Sequence, residues 1–281
     1  MAIKSSISVS CLAAWMCCAI SMSVAQTLPV QQRQSCDEPF ARLALSEDRF
    51  EPGEGSGKPL FIALVPIPGA PAIASWEATI YDPGSMPFMT LKAADAGEKL
   101  VWDGHGHGGE LVESSSEYPI VAKVTAVSGL QCEARAVIRT GIVLLKGMSR
   151  YRIGISSIVF KPDTADYLDV GPAQRAKNLE ILRLLADKLG QFPGFHIRIE
   201  GHALPTYWQD PVKTAEEQRT SLVPLSKARA EAIRQALRRL GLPADSMEAV
   251  GLGASNPIVP YSDTANRWKN RRVEIYLESP S

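Results

Sequence analysis

The hydrophobic positions between residues 36 and 147 fall in short runs that contain β-branched and aromatic residues. Turn-forming stretches separate the runs, among them EPGEGSG, DPGS and DGHGHGG. Short runs between turns predict β-strands, and no helical period of useful length occurs in this part of the chain. The pattern therefore predicts an all-β sandwich of roughly 100 residues. The predicted strands are 60–66, 75–82, 99–102, 118–127 and 132–145.

After Gly147 the hydrophobic pattern changes to alternating strands and helices. Within residues 173–190 leucines recur every three or four positions, which predicts a helix with one buried face. These leucines are Leu179, Leu182, Leu185 and Leu189. A second helix is predicted from an N-cap at Ser226 to Gly241. Its predicted buried residues are Ile233, Leu237 and Leu240.

Strands are predicted on either side of these two helices. They are 152–160, 196–202, 247–253 and 271–277. Alternation of strands and helices predicts a two-layer α/β domain with helices over one face of the sheet. Together with the β-rich first half, this makes the expected fold class α+β overall.

The first 25 residues differ from the rest of the chain. Lys4 is their only charged residue, an apolar stretch follows it, and SVA precedes Gln26. This pattern predicts an export signal. The predicted organisation is therefore a signal peptide at 1–25, a β-sandwich domain at 26–147 and an α/β domain at 148–281.

Composition and charge narrow the classes of partner. Hydrophobic residues make up 45% and charged residues 21% of the 281-residue chain, which is typical of a folded globular protein. Thirty basic residues balance thirty acidic ones. Nucleic acid is therefore not an expected partner, because its phosphates call for an excess of basic residues.

Three of the five cysteines lie in the predicted signal, which leaves Cys36 and Cys132 in the exported chain. In an oxidising compartment such a pair predicts one disulfide. Two separate thiols remain the alternative, since the sequence alone does not show that the two Cα atoms approach each other. Bulky residues in front of Cys17 and Cys18 disfavour lipid attachment at either.

The segment 76–129 has residues at the motif positions of a known β module: Trp76, Asp82, Gly84, WDG at 102–104, and Tyr118. It resembles the immunoglobulin-like repeats of the FlgD type. The resemblance implies an immunoglobulin-like sandwich for the first domain, and it implies no activity.

Within this segment, DGHGHGGE offers four potential metal ligands. They are Asp103, His105, His107 and Glu110. A glycine-rich hairpin is the competing interpretation and the one we expect, because no HExxH or paired-cysteine motif accompanies the histidines. A metal-dependent hydrolase that uses these histidines or His202 is the weakest function considered. No metal, cofactor or enzymatic activity is expected.

Five sequence blocks follow one another in the second half of the chain. They are FKPDTA (160–165), IEGHA (199–203), LSKARAEAIRQAL (225–237), GLGASNPIVP (251–260) and RWKNRRVEIYL (267–277). In this order they resemble the C-terminal peptidoglycan-binding domain of the OmpA and MotB family. The resemblance implies a non-catalytic domain that binds diaminopimelate in the stem peptide of peptidoglycan. It also implies a periplasmic protein associated with the cell wall or outer membrane.

In this family an aspartate and an arginine bind the ammonium and the carboxylate of diaminopimelate. The resemblance places the arginine at Arg229, whose planar guanidinium suits two parallel bonds to a carboxylate. It places Leu204 where the family has its aspartate, and Ala203 where it has threonine. We therefore expect a divergent ligand pocket that keeps the base and lacks the acid.

Further candidate site residues surround this pair. His202 is expected to pack at the end of its strand, with metal ligand or general base as the alternatives. Asp163 is expected to support the loop after the first strand of the domain, with ligand contact as the alternative. Of Arg271 and Arg272, strand alternation predicts that one faces the carboxylate of the ligand and the other is a surface charge.

The loop that begins GHALPTYWQDP is about ten residues longer than the family resemblance predicts. Loops of such length in compact domains are usually functional or disordered. The candidates to replace the missing carboxylate are Asp210, Glu216 and Glu217. Tyr207 and Trp208 are candidates to cover a sugar or an aliphatic chain. The alternatives are solvated acids and a hydrophobic plug that holds the loop down.

Two functions of different classes remain. The first is an exported cell-envelope protein whose second domain binds peptidoglycan non-covalently through the stem peptide. The second is a structural protein of an envelope assembly that contacts other envelope proteins and no longer binds the cell wall. The two differ in whether the exported protein sediments with purified sacculi.

Overall fold

A computed structural model gives the fold of residues 36, 39–53, 58–147, 150–155 and 157–279. The predicted signal peptide, with Cys17 and Cys18, lies outside these described residues. Among the helices of the described residues, none has the length and apolar character needed to cross a membrane. The fold is α+β, as the sequence predicts, with three β-sheets and a few helices.

Two antiparallel sheets make up the first half of the described chain. Their strands are β1 Ala41–Leu45, β2 Leu60–Pro66, β3 Ile73–Tyr81, β4 Pro87–Ala93, β5 Leu100–Trp102, β6 Glu117–Ala126 and β7 Gln131–Arg139. The smaller sheet has the order β1-β2-β5, and the larger has the order β4-β3-β6-β7. Buried side chains of both sheets belong to one hydrophobic core.

Aromatic side chains fill the centre of this first core. Trp102 is 1% exposed, and its ring centroid lies between 5.4 and 6.3 Å from those of Phe50, Phe88 and Tyr118. Its Nε1 donates a hydrogen bond to the carbonyl of His105, which satisfies the only polar atom of the buried ring. Truncation of Trp102 to alanine would therefore cost about 3–5 kcal/mol of stability.

A disulfide joins Cys36 to Cys132, whose Cα atoms lie 5.4 Å apart. The backbone N–H of Cys36 also donates to the carbonyl of Gln131 in β7. The disulfide therefore fastens the chain ahead of β1 to an edge strand of the larger sheet, and the predicted pairing is confirmed. It closes a loop of 96 residues, which contributes on the order of 4 kcal/mol by restricting the unfolded chain.

The second half of the described chain forms a five-stranded sheet with helices. Its elements are β8 Leu145–Lys146, β9 Arg150–Ile155, α1 Pro172–Leu189, β10 His196–His202, α2 Pro211–Glu217, a π-helical turn Gln218–Leu222, α3 Val223–Arg239, a 3₁₀ turn Ala244–Ser246, β11 Met247–Gly253, a 3₁₀ turn Arg267–Asn270 and β12 Val273–Glu278. The strand order is β11-β10-β12-β9-β8. Strands β10 and β11 run parallel, whereas the other neighbours in this sheet are antiparallel.

The two faces of this sheet differ because side chains alternate along each strand. On one face, the buried Ile153, Ile199 and Ile275 form a second hydrophobic core with Leu185 of α1 and Leu237 of α3. The alternate positions carry charged and polar side chains. They are Arg152, Arg198, Glu200, Glu274 and Tyr276.

Helix α3 approaches β10 and β11 closely near its N-terminal end. A Cβ atom at Gly201 would overlap the carbonyl of Ser226, and one at Gly251 would overlap the carbonyl of Val223. Ser226 reinforces the contact, since its hydroxyl donates to Val223 O at 3.0 Å and accepts from the N–H of Gly253 at 2.9 Å. Ser226 therefore lies inside α3 and ties it to β11, so the prediction that it caps the helix is wrong.

Several predicted boundaries also differ from the structure. The strand predicted at 152–160 ends at Ile155, and the strand predicted at 132–145 ends at Arg139. Leu240, predicted as buried, is 43% exposed because α3 has already ended. Strands β1 and β4 were not predicted, since neither has a long alternating pattern.

The turn at 82–86 of the first half lies against the segment that precedes β12. Asp82 Oδ2 is 3.3 Å from Lys269 Nζ, and the two side chains are only 4% and 18% exposed. The other oxygen of Asp82 accepts from the N–H of Met86 at 2.8 Å. A Cβ atom at Gly84 would lie 2.5 Å from Trp268 Nε1. This turn therefore requires glycine where it meets the tryptophan.

Candidate ligand pocket

A pocket of about 200 Å³ opens where the loop after β9, the end of β10, helix α3 and the segment before β12 meet. It is lined by Ile158, Val159, Phe160, His202, Arg229, Trp268, Arg271, Arg272 and Val273. Aromatic and aliphatic side chains form its walls, and arginines provide its charge. Among the described residues, no carboxylate lines it.

Arg229 is the central cation of this pocket. Its Nε donates to the carbonyl of Thr164 at 3.0 Å, and its guanidinium lies 5.2 Å from the ring centre of Phe160. No described residue forms a hydrogen bond with its two Nη atoms. Burial, and next the positive charge of Arg271, lower the pKa of Arg229, while the charge of Asp163 partly offsets them. The side chain stays protonated, because arginine does not lose its charge in proteins.

Arg271 and Arg272 both line the pocket but differ in their partners. Arg271 is exposed, and its guanidinium has no hydrogen bond or ion pair within the described part of the chain. Arg272 is 8% exposed and donates to Glu274 Oε1 at 3.1 Å and to the carbonyl of Asn256 at 3.1 Å. Arg271 ends a 3₁₀ turn ahead of β12, so strand alternation does not apply to it. The prediction that one of the two is only a surface charge on the opposite side is therefore wrong.

A buried charged network lies beside the pocket on β10 and β12. Glu200 and Glu274 are directly opposite each other, and His202 Nε2 lies 3.9 and 3.5 Å from their carboxylates. Arg152 Nη1 donates to Glu274 at 2.8 Å. Burial raises the pKa of Glu274, but contacts with His202 and Arg272 outweigh this and hold its pKa well below its usual range. Glu274 is therefore an ionised, fully engaged carboxylate.

The same three side chains also form a group of potential metal ligands, with Glu200, His202 and Glu274 atoms within 4.8 Å of one another. The two carboxylates already have cationic partners, since Arg198 Nε lies 2.7 Å from Glu200 and Arg152 binds Glu274. A divalent cation would meet repulsion from these guanidinium groups. The geometry therefore fits an internal ion network better than a metal centre.

Two buried asparagines hold the loops that form the pocket. Asn178 of α1 accepts from the N–H of Val159 at 3.1 Å and donates to the carbonyls of Val159 and Tyr167 at 2.7 and 2.8 Å. Asn270 accepts from the N–H of Ile258 at 2.8 Å. These side chains replace backbone partners that an irregular loop lacks. They thereby fix the loop after β9 and the segment before β12.

The acid expected in this family is missing from the pocket. Leu204, at the position of the family's aspartate, is half-buried and does not line the pocket, and Ala203 is 4% exposed. Asp163 is exposed and has a left-handed backbone, with φ of 55°. It lies outside the pocket lining, although its charge acts on Arg229.

The inserted segment after β10 is folded, and its acids have local partners. Asp210 caps α2 by accepting hydrogen bonds from two backbone N–H groups of that helix. Glu217 accepts from two backbone N–H groups of the preceding loop, and Glu216 forms an ion pair with Arg219 at 2.9 Å. None of these acids lines the pocket, so Asp210, predicted to bind ligand, caps a helix instead. Tyr207 is 51% exposed, which does not fit a hydrophobic plug.

The histidines after Trp102 lie in a hairpin with local hydrogen bonds. His107 Nε2 accepts from the N–H of Thr90 at 3.1 Å, and His105 Nδ1 lies 3.2 Å from Asp103 Oδ2. A Cβ atom at Gly106 would lie 2.6 Å from Glu110 Oε1, so the glycine allows the hairpin to fold over that glutamate. This arrangement matches the expected glycine-rich hairpin.

Four residues at or beside the pocket were not predicted from the sequence: Phe160, Trp268, Asn178 and Glu274. Two of them carry a signal in the sequence. Asn178 interrupts the otherwise leucine-rich face of α1, and Glu274 stands inside the apolar run VEIYL. A polar residue at a predicted core position calls for a specific partner, and here it has one.

The pocket lies within a segment that matches a known family. Residues 160–271 match the model of the OmpA family. Over 151 residues the chain is 31% identical to the outer-membrane lipoprotein YfiB of Pseudomonas aeruginosa. This alignment covers 53% of this chain and 79% of YfiB. Over 98 residues, or 35% of this chain, it is 36% identical to the peptidoglycan-binding protein ArfA of Mycobacterium tuberculosis. The chain spans 27% of the length of ArfA.

Two solved structures are similar at lower identity. The periplasmic domain of Helicobacter pylori MotB is 20% identical with a TM-score of 0.39, over 49% of this chain and 79% of that domain. The cell wall anchor of the T6SS from Pseudomonas aeruginosa is 21% identical with a TM-score of 0.38, over 50% of this chain and 88% of the anchor. The resemblance predicted from the five sequence blocks is confirmed by the family match and by YfiB: the chain belongs to the OmpA family.

Proposed function

We propose that this chain is an exported cell-envelope protein that binds peptidoglycan non-covalently, and that the pocket at Arg229 receives the stem peptide. One observation carries the proposal. Arg229 is partly buried and held by Thr164 and Phe160, yet its Nη atoms and the guanidinium of Arg271 have no partner among the described residues. A partly buried cation such as Arg229 is costly when it has no ion-pair partner, and an anionic ligand relieves that cost. The carboxylates of a stem peptide are such anions.

The relatives support this function. ArfA is a peptidoglycan-binding protein and YfiB an outer-membrane lipoprotein by name. The family match at 160–271 contains both Arg229 and Arg271. A periplasmic place at the cell wall or outer membrane, after removal of a signal peptide at 1–25, is part of the proposal. The proposed activity is binding without catalysis.

The first half of the chain is proposed to be a separate FlgD-type, immunoglobulin-like domain at 26–147, followed by the OmpA-like domain at 148–281. Two distinct hydrophobic cores support this division. The Tyr118 hydroxyl accepts from the N–H of Glu113, five residues upstream, at 2.9 Å. A buried tyrosine that bonds the upstream backbone is a recurring feature of immunoglobulin-like sandwiches. This domain would position the wall-binding domain or contact other envelope proteins.

Sedimentation with purified sacculi tests the proposed function. The exported protein should pellet with sacculi and be released by soluble stem peptides. Arg229→Ala should reduce pelleting at least tenfold, because the lost charge-assisted bonds are worth about 1.5–3 kcal/mol. Arg234→Ala is the matched control: it removes an arginine of the same helix that pairs with Glu231 and does not line the pocket. Equal pelleting of both variants, or none by the wild type, would contradict the proposal.

The second candidate is a structural protein of an envelope assembly that no longer binds the cell wall. Leu204 favours it, because a zwitterionic ligand has no acid there to hold its ammonium. The two candidates separate cleanly in the same experiment. A folded wild-type protein that stays in the supernatant at every sacculus concentration would favour the structural role.

A further inference from the structure

The charge of the pocket does not suit an amino acid with a free ammonium group. Arg272 pairs with Glu274, a carboxylate that Arg152 shares, whereas Arg229 and Arg271 form no ion pair with any described residue. A carboxylate is attracted to both guanidinium groups. An ammonium group beside that carboxylate is repelled by both and has no carboxylate to contact among the described lining residues.

Nearby acids do not restore a site for the ammonium. Asp210, Glu216 and Glu217 are held by the backbone or by Arg219 within the inserted segment. Asp163 is exposed and outside the pocket lining. Its effect on the pKa of Arg229 is also smaller than the opposing effect of Arg271.

The remaining walls suit a neutral group in place of the ammonium. Phe160 and Trp268 contribute aromatic surface, and Ile158, Val159 and Val273 contribute aliphatic surface. Loss of hydration on such surfaces costs a charged ammonium group far more than it costs the neutral amide of an acylated amine. The pocket thus combines positive charge for carboxylates with apolar walls for a neutral neighbour.

We propose that this pocket selects stem-peptide residues that keep their carboxylate but carry an acylated side-chain amine, the state that a cross-link between two stems produces. The inference rests on the proposed function and specifies its ligand. The lack of an acid at Leu204 and the positive charge of Arg271 would shift the specificity of the pocket away from ligands with a free amine. The protein would then bind cross-linked peptidoglycan in preference to peptidoglycan that is not cross-linked.

Titration calorimetry on the full exported chain tests this with two probes. One is a stem tripeptide that ends in diaminopimelate with a free side-chain amine, and the other is the same tripeptide with that amine acetylated. The acetylated probe is expected to bind about tenfold more tightly. Arg271→Gln should reduce this preference, because one of the two repelling charges is gone, whereas the control Arg234→Gln should retain it.

Two failures are distinguishable. If sacculi bind but the free-amine probe binds as tightly as the acetylated one or better, the inferred specificity is wrong and the proposed function stands. If the folded protein binds neither probe and does not pellet with sacculi, the proposed function is overturned, and the inferred specificity with it.

Discussion

The arginines near β12 fall into two groups with opposite surroundings. Arg152 and Arg272 share the buried carboxylate of Glu274, at 2.8 and 3.1 Å. Arg229 and Arg271 line a pocket in which no described residue offers a carboxylate. The same side chain type therefore serves an internal ion network in one place and is available for a ligand in the other.

The partners of an arginine thus distinguish a structural role from a role in ligand binding. A buried ion pair is weak evidence for added stability, because desolvation offsets much of the attraction. Removing one partner from such a pair is nevertheless costly, since the other charge stays buried. An arginine without a carboxylate partner leaves no buried charge behind when it is removed, so its removal should affect ligand binding more than folding.

Glu274→Gln should have the largest effect on stability, because it leaves the buried guanidinium of Arg272, and the partly exposed one of Arg152, without their carboxylate. We expect a loss of about 3–5 kcal/mol in the free energy of unfolding, measured by urea denaturation. Glu278→Gln is the matched control, since that carboxylate is 42% exposed and lies 3.7 Å from Arg150. It should cost less than about 1 kcal/mol. Equal losses for the two variants would remove the distinction between the buried network and the surface pairs.

Arg271→Gln should show the opposite behaviour. Its affinity for the acetylated tripeptide should fall about tenfold, while its free energy of unfolding should change by less than about 0.5 kcal/mol. Calorimetry and denaturation on one preparation measure both. Arg238→Gln, an exposed change at the end of α3, should leave both values unaltered. A stability loss without an affinity loss would place Arg271 with the structural arginines.

Leu204→Asp should supply the carboxylate that the pocket of Arg229 and Arg271 lacks. A carboxylate at this position should tighten binding of the free-amine tripeptide by roughly tenfold, because it offers the ammonium a charge-assisted bond. Leu204→Asn has a similar shape without the charge and should not tighten binding. The pair of variants, titrated with the same probe, separates charge from shape. No gain with aspartate would show that this position does not reach the ligand.

The smallest expected effect concerns Glu113, near Arg272 and Lys269. Burial raises the pKa of Glu113 from its ordinary value of 4.5 to about 7, against the opposing charges of Lys269 and Arg272 and with help from Asp82. The folded protein therefore holds this proton more tightly than the unfolded chain does, and this contribution to stability falls as pH rises from about 4.5 to 7. Relative to the wild type, Glu113→Gln should gain a few degrees in Tm across that window. A constant difference between the two melting curves at all pH values would contradict the assignment.

The sequence predicted the parts of the fold that depend on periodicity. Strands β2, β10 and β11 have the predicted boundaries, because apolar residues alternate and turns or glycines follow. The helix at Ser226 starts earlier than predicted because Val223 and Pro224 continue from the π-helical turn. A serine that bonds a neighbouring strand has the same local pattern as a cap.

The candidate site was predicted only in part, for a similar reason. Arg229 was found from its family motif, and it lines the pocket. The sequence does not show that Arg272 pairs with Glu274, since that contact depends on how the two side chains lie in the fold. Nor does it show that Asn178 of α1 accepts a hydrogen bond from the loop after β9. Asp210 looked like a replacement acid because a helix cap and a ligand carboxylate have the same residue type. Only the fold separates those roles.

Whether Arg229 binds the stem peptide is tested by calorimetry on Arg229→Ala, with thermal melts of the same preparation. Affinity for the stem tripeptide should fall tenfold or more. The lost bond to Thr164 should cost about 1 kcal/mol, or about 2–4 °C in Tm. Unchanged affinity in the folded variant, or a collapse of Tm comparable to that of Glu274→Gln, would contradict this role of Arg229.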